Sequence, residues 1–167
     1  VYTISDVTVS GDTVLPKEEI ERIVSFIRPG STFSRGLLEI ATNAVTARLS
    51  NIGYAFARVN PAPTIDRDKR TVGIDMQVQP GPRVNVRRIV FKGNTRTADQ
   101  VLRREMRQFE GSWYSQAAVD RSKVRLSRLG YFESVAVENE AVAGSDDAQY
   151  QVLVRLRELG VRIAVDD

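Results

Sequence analysis

Arg48-Leu49-Ser50-Asn51-Ile52-Gly53-Tyr54 returns as Arg125-Leu126-Ser127-Arg128-Leu129-Gly130-Tyr131, and that return decides the fold. Working outward, Pro29-Gly30-Ser31-Thr32-Phe33-Ser34 matches Glu110-Gly111-Ser112-Trp113-Tyr114-Ser115. Further upstream, the apolar stretch from Ile4 to Gly11 matches that from Arg88 to Gly93, each closing on Gly plus a polar residue. The three blocks keep their order at offsets of 77, 81 and 82 residues, so the chain is two copies of one unit. The units are expected at 1–81 and 82–160, with 161–167 a C-terminal tail. Gln79-Pro80-Gly81-Pro82-Arg83 joins them, and its prolines restrict the connection.

Periodicity turns each unit into elements. Ile20, Ile23, Val24 and Ile27 fall at helical spacing, after Pro16 and before Pro29-Gly30. Ser34 is placed to cap a second helix with Leu38, Ala41, Val45 and Leu49 inward, and Gly53 ends it. A strand is expected from about Tyr54 to Asn60. After the Asp66-Arg67-Asp68 turn, Val72, Ile74, Met76 and Val78 alternate with more polar residues as a one-sided strand. In the second unit Thr97-x-x-Gln100 has capping-box spacing, with Ala98, Val101, Leu102, Met106 and Phe109 as the buried stripe. Ser115 caps the next helix, with Val119, Ser122, Leu126 and Leu129 inward. Val135 and Val137 mark a strand, Ala143 to Asp147 a turn, and Tyr150, Val152, Val154 and Leu156 the last strand. Trp113, Tyr114, Tyr54, Tyr131 and Phe132 read as apolar anchors at helix ends. The class is therefore α+β: two β-α-α-β-β repeats, each a sheet backed by two helices.

Composition narrows the chemistry. The 167 residues include neither Cys nor His, which removes disulfides, thiolate nucleophiles, the commonest metal ligand and the usual neutral-pH titrating group. No cofactor and no metal site is expected. The net charge is +3, and the surplus lies beyond Gly81. No apolar run approaches the roughly 20 residues of a spanning helix. The chain opens on Val1 in what already reads as a strand, as expected for a mature start or an excised fragment.

Two charged patterns stand out. Arg103, Arg107 and Glu110 fall at i, i+4 and i+7, away from Leu102 and Met106; spacing alone fits a solvated face with weak intrahelical pairs. Arg121, Arg125 and Arg128 share another helix face, again readable as simply solvated.

Tandem β-α-α-β-β units with Gly-Tyr after the second helix resemble POTRA (polypeptide-transport-associated) domains. The long motif from Val101 to Trp113, followed by Arg125 to Glu133, is similar to the barrel-proximal POTRA domain of outer-membrane β-barrel assembly factors. Gly53 to Val59 is similar to the penultimate one. The resemblance implies three-stranded mixed sheets with strand order 1-3-2. It implies a non-catalytic periplasmic scaffold, chaperone-like towards unfolded outer-membrane β-barrel proteins. Arg103 and Glu110, with Arg107 beside them, would dock the assembly lipoprotein BamD, alongside the other Bam lipoproteins. A barrel domain, missing here, would follow the last strand. The order 1-3-2 leaves the second strand at an edge, where an extended client can add as a further strand. Pro61 and Pro63 blunt that edge in unit one. Ser134, Val135, Ala136, Val137, Glu138, Asn139 and Glu140 form the proline-free edge of unit two, the one expected to take clients. Nearness to the bilayer would bring Arg121, Arg125 and Arg128 into peripheral contact with anionic head groups.

The competing readings are a POTRA pair of another outer-membrane transporter or two-partner secretion protein, a nucleic-acid-binding repeat, and an enzyme. Against nucleic acid, the arginines are interleaved with carboxylates, and neither an RNP-like strand nor a G-x-x-G loop is present. Against an enzyme, the pairs Asp66/Asp68 and Asp146/Asp147 sit in turns with no base–nucleophile arrangement.

Overall fold

The computed structural model describes residues 1–142 and 149–160. Among them, six strands form two three-stranded sheets, each backed by two helices. The expected turn at Ala143–Asp147 and the tail 161–167 lie outside the described residues. The chain divides into Val1–Arg83 and a second unit from Val84 onward.

In unit one, β1 (Thr3–Gly11) runs parallel to β3 (Thr71–Gln79), and β2 (Arg58–Asp66) pairs antiparallel on the other side of β3. The alternation of β3 sends Val72, Ile74, Met76 and Val78 into the core, none more than 3% exposed. Helices α1 (Lys17–Ile23) and α2 (Arg35–Ser50) cover that face. Ser34 caps α2 by accepting from Leu37 N–H, and Leu38, Ala41, Val45 and Leu49 are buried as their spacing requires.

Unit two repeats the order: β4 (Asn85–Lys92), α3 (Asp99–Glu105), α4 (Gln116–Arg128), β5 (Phe132–Ala141), β6 (Gln149–Glu158). β4 is parallel to β6, and β5 antiparallel to it. Ser115 caps α4 through Ala118 N–H, and Val119, Ser122 and Leu126 face inward. Both first strands carry a register shift at the same place, between Ile4 and Asp6 and between Val86 and Arg88. Gly11 and Gly93 end them at φ +86° and +92°, where a Cβ would collide with the Val78 and Leu156 carbonyl oxygens.

Several expectations are corrected. The second strand of unit one starts at Arg58, because Tyr54 to Ala57 form a turn closed by Ala57 N–H on Tyr54 O, and it runs on through both prolines to Asp66. The prolines fit because their nitrogens face away from β3. Helix α1 stops at Ile23; Val24 and Ile27 stay buried, but from the turns that follow. β-Branched neighbours at Ile23 and Val24 do not favour its continuation. The capping box does not form: α3 begins after Ala98 with no side-chain cap. Glu158 takes the N–H groups of Arg96 and Thr97 instead, at 3.0 and 3.1 Å, a carboxylate being the stronger acceptor. Helix α3 ends at Glu105, so Phe109 leaves the stripe and is 60% exposed; Ala98 is exposed too. Trp113 and Tyr131 are about half exposed, whereas Tyr114 and Phe132 are buried.

Candidate docking surfaces

The early end of α3 rearranges the first charged pattern. Met106 is extended at ψ 137°, so Arg107 and Glu110 do not share a helix face with Arg103. The turn carrying them is built around Gln108, which is 2% exposed. Its amide donates to Ser112 Oγ and Trp113 O and accepts from Ser115 N–H, while its own N–H donates to Ser122 Oγ. That turn delivers Glu110 to the outer side of β4. Glu110 Oε1 accepts from Ile89 N–H at 2.9 Å and from Arg103 Nη1 at 3.1 Å. Arg103 Nη2 donates to Ile89 O at 3.0 Å, and its guanidinium carbon lies 5.3 Å from the Phe91 ring centre. The ion pair thus occupies both outward backbone groups of Ile89, as a neighbouring strand would. The Ile89 N–H is the main cause holding the Glu110 carboxyl below its ordinary value; partial burial opposes it, and Arg103 adds to it.

Arg103 and Glu110 are therefore brought together and Arg107 is not. Arg107 turns away, donating through Nη1 to Arg104 O and Met106 O. The pair keeps roughly two-fifths of its side-chain surface in water and is flanked by exposed Phe109. A half-exposed guanidinium, a carboxylate and an aromatic ring can present charge-assisted bonds and apolar area to a partner together.

The sheet margins form the second surface. In each sheet the third strand is central, so two strands lie at margins: β1 and β2, β4 and β5. Pro61 pairs with Met76 and Pro63 with Ile74; in the matching register Val137 pairs with Val154 and Asn139 with Val152. Unit two thus carries outward N–H groups where unit one has two prolines. The carboxylates expected to charge the Ser134–Glu140 margin bond to side chains of β6: Glu138 pairs with Arg155 at 3.2 Å and Glu140 accepts from Gln151 at 2.7 Å. The first strands are margins as well, which their sequence pattern does not reveal. In unit two the stretch 111–114 covers Val84 and Val86, and the Arg103–Glu110 pair covers Ile89. In unit one the stretch 30–33 covers Tyr2 and Ile4. Val7, which holds the register position of Ile89, has no such side-chain cover among the described residues.

The second charged pattern is regrouped. Arg125 Nη2 pairs with Glu105 Oε2 at 2.9 Å, and Arg121 Nε donates to Ala117 O at 3.3 Å. Arg107 joins Arg121, Arg125 and Arg128 from across the turn, around an open concavity of about 440 Å³ that Asp120 and Val124 also line. Asp66, weighed as a catalytic carboxylate, accepts from Asp68 and Lys69 N–H and shapes the hairpin turn. Residues that sequence reasoning missed are Ile89, Gln108 and Phe109. The signal for Gln108 was a polar residue inside an apolar pattern next to a turn.

Comparison with known proteins matches these features to one family. The POTRA model, described as a surface antigen variable number repeat, matches residues 2–81 and again 84–158. The outer membrane protein assembly factor BamA of Neisseria meningitidis serogroup B is 32% identical over 142 residues, 84% of this chain and 18% of that protein. BamA of Buchnera aphidicola is 32% identical over 154 residues, 90% of this chain and 25% of that protein. The chain thus spans a quarter or less of these relatives. The crystal structure of Haemophilus influenzae BamA POTRA3-5 superposes with a TM-score of 0.86 at 35% identity, covering 94% of this chain and 61% of that one. BamA from Haemophilus ducreyi lacking POTRA domains 1-3 gives 0.84, also at 35%, over 95% of this chain and 30% of that one.

Proposed function

The chain belongs to the POTRA family, and from that premise we propose that it is a non-catalytic scaffold of outer-membrane protein assembly, working in the periplasm. It holds unfolded β-barrel clients transiently and docks an assembly lipoprotein of the BamD kind, with other Bam lipoproteins nearby. The observation that carries the client role is the β5 margin: from Ser134 to Glu140 it is proline-free, and it presents backbone donors where β2 presents Pro61 and Pro63. Backbone pairing reads no sequence, which suits clients that share only β-propensity. Without deep side-chain pockets the binding is weak and transient. The Arg103–Glu110 pair, with Phe109 beside it, is the lipoprotein-docking patch. A carboxylate and a guanidinium at a fixed spacing give orientation and partner selection.

Titrating the chain with an unfolded barrel-strand peptide tests the client role. Amide shifts are expected along β5, from Ser134 to Glu140. Shifts confined to unit one overturn it. In the same preparation, Glu110→Lys is expected to weaken BamD binding, and unchanged affinity removes the docking role.

A further inference from the structure

The concavity on α4 gathers basic side chains that the scaffold role leaves unused. Arg107, Arg121, Arg125 and Arg128 line it with Asp120 and Val124. Four arginine side chains therefore line one space of about 440 Å³. Two carboxylates offset them in part. Glu105 is engaged by Arg125, and Asp120 accepts from Gln116 Nε2 at 2.9 Å. Arg125 Nε is shielded from solvent and donates to nothing among the described residues, although the same side chain lines the concavity. A shielded donor without an acceptor is unfavourable in the free chain, so this arginine is not held by the fold alone. Val124, 48% exposed, adds an apolar wall.

The fold does not demand these arginines. Aligned through Leu49 and Leu126, the same face of α2 and its C-cap carries Ala44, Ala47 and Asn51 where α4 carries Arg121, Val124 and Arg128. Only Arg48 matches Arg125, and it too pairs with a glutamate, Glu19, at 2.9 Å. The paired arginine is thus shared between the units, while Arg121 and Arg128 are particular to unit two. Guanidinium forks match the oxygens of tetrahedral phosphate in a way that ammonium groups do not.

We infer that this concavity is a binding site for a phosphate group. Going beyond the scaffold role, it gives unit two a ligand that unit one cannot hold. A lipid head group and a soluble phosphate both carry this chemistry, and the experiment separates the two.

The test follows the arginine Nε–Hε resonances and amides of the whole chain during titration with inorganic phosphate and pyrophosphate. A parallel arm measures sedimentation with vesicles of phosphatidylcholine alone or equimolar with phosphatidylglycerol. Arg121→Ala/Arg128→Ala is the test variant, since both side chains lie on the outer face of α4. Arg48→Ala is the control on unit one. Saturable shifts at Arg107, Arg121, Arg125 and Arg128, weakened about tenfold or more in the double variant, support the site. Support from the soluble ligands with no vesicle binding assigns a soluble phosphate. Vesicle binding that needs phosphatidylglycerol and is lost in the double variant assigns a head group. The inference falls if no saturable shift or vesicle binding is seen, or if the double variant binds as the parent does. It falls likewise if Arg48→Ala weakens binding equally, or if an oligoglutamate peptide displaces pyrophosphate at equal concentration, which would mark a contact for acidic polypeptides.

Discussion

The two sheets have the same strand order, the same register and the same irregularity in the first strand, yet they close opposite margins. Unit one blunts β2 with Pro61 and Pro63 and leaves Val7 on β1 without side-chain cover among the described residues. Unit two leaves β5 free of proline and covers Ile89 on β4 with the Arg103–Glu110 pair. A three-stranded sheet must have two margins, and each is a template for another strand. Backbone topology says nothing about which margin is available. A few side chains decide that, by removing a donor in one unit and by imitating a strand in the other.

The comparison stands on the shared register, so the largest expected effect comes from breaking that. Gly93 sits at φ +92°, and a Cβ there would meet the Leu156 carbonyl. Gly93→Ala adds left-handed backbone strain to a backbone collision and is expected to cost about 3 kcal/mol or more in unit two. Trp113, the single tryptophan, reports unit two alone by its fluorescence during denaturant unfolding. An unchanged midpoint would mean that the strand ends do not fix the register.

Exchanging the margins is the next test. Val137 and Pro61 hold the same register position. Val137→Pro is expected to weaken peptide pairing on β5 about tenfold or more, because an outward donor is lost. Since that N–H faces away from β6, the stability of unit two should move by less than about 1 kcal/mol. Pro61→Val should bring peptide-induced shifts onto β2. If neither exchange moves the site of binding, proline placement is not what distinguishes the units.

Most of the framework was legible in residue order. Repetition of Arg48–Tyr54 as Arg125–Tyr131 set the number of units, and periods near 3.6 and 2 located the helices and strands. Both serine caps and the buried face of β3 follow from local rules. The candidate site was half legible. Arg103 and Glu110 were picked out together, but as neighbours on one helix. Their actual meeting point is Ile89, 14 and 21 residues away along the chain. Helix α3 stops at Glu105 because the next turn is organised by Gln108, whose partners include Ser122 on another helix. No local pattern encodes such bonds. Phe109 fits the helical stripe by spacing and is exposed for the same reason.

The smallest expected effect concerns acid, and it sharpens the contrast between Ile89 and Val7. Chiefly through the Ile89 N–H, the Glu110 carboxyl is held below its ordinary 4.5; the Arg96 N–H does the same, first among several donors, for Glu158. Both groups lie in unit two. A carboxyl whose folded value is lowered binds its proton less readily in the folded chain than in the unfolded one. Its contribution to stability is therefore complete above the ordinary value and drains as the pH falls through the lowered folded value. The denaturant midpoint read by Trp113 is expected to fall below a pH of about 4.5, and the fall should be shallower in Glu110→Gln and shallower still when Glu158→Gln is added. At neutral pH, Glu110→Gln is also expected to speed amide exchange at Ile89 by roughly fivefold to tenfold, as one charge-assisted bond weakens. Exchange at Val7, measured in the same sample, should not change. Equal exchange at Ile89 with and without the carboxylate would show that the ion pair merely rests on β4, and the two first strands would then be equally open to a pairing strand.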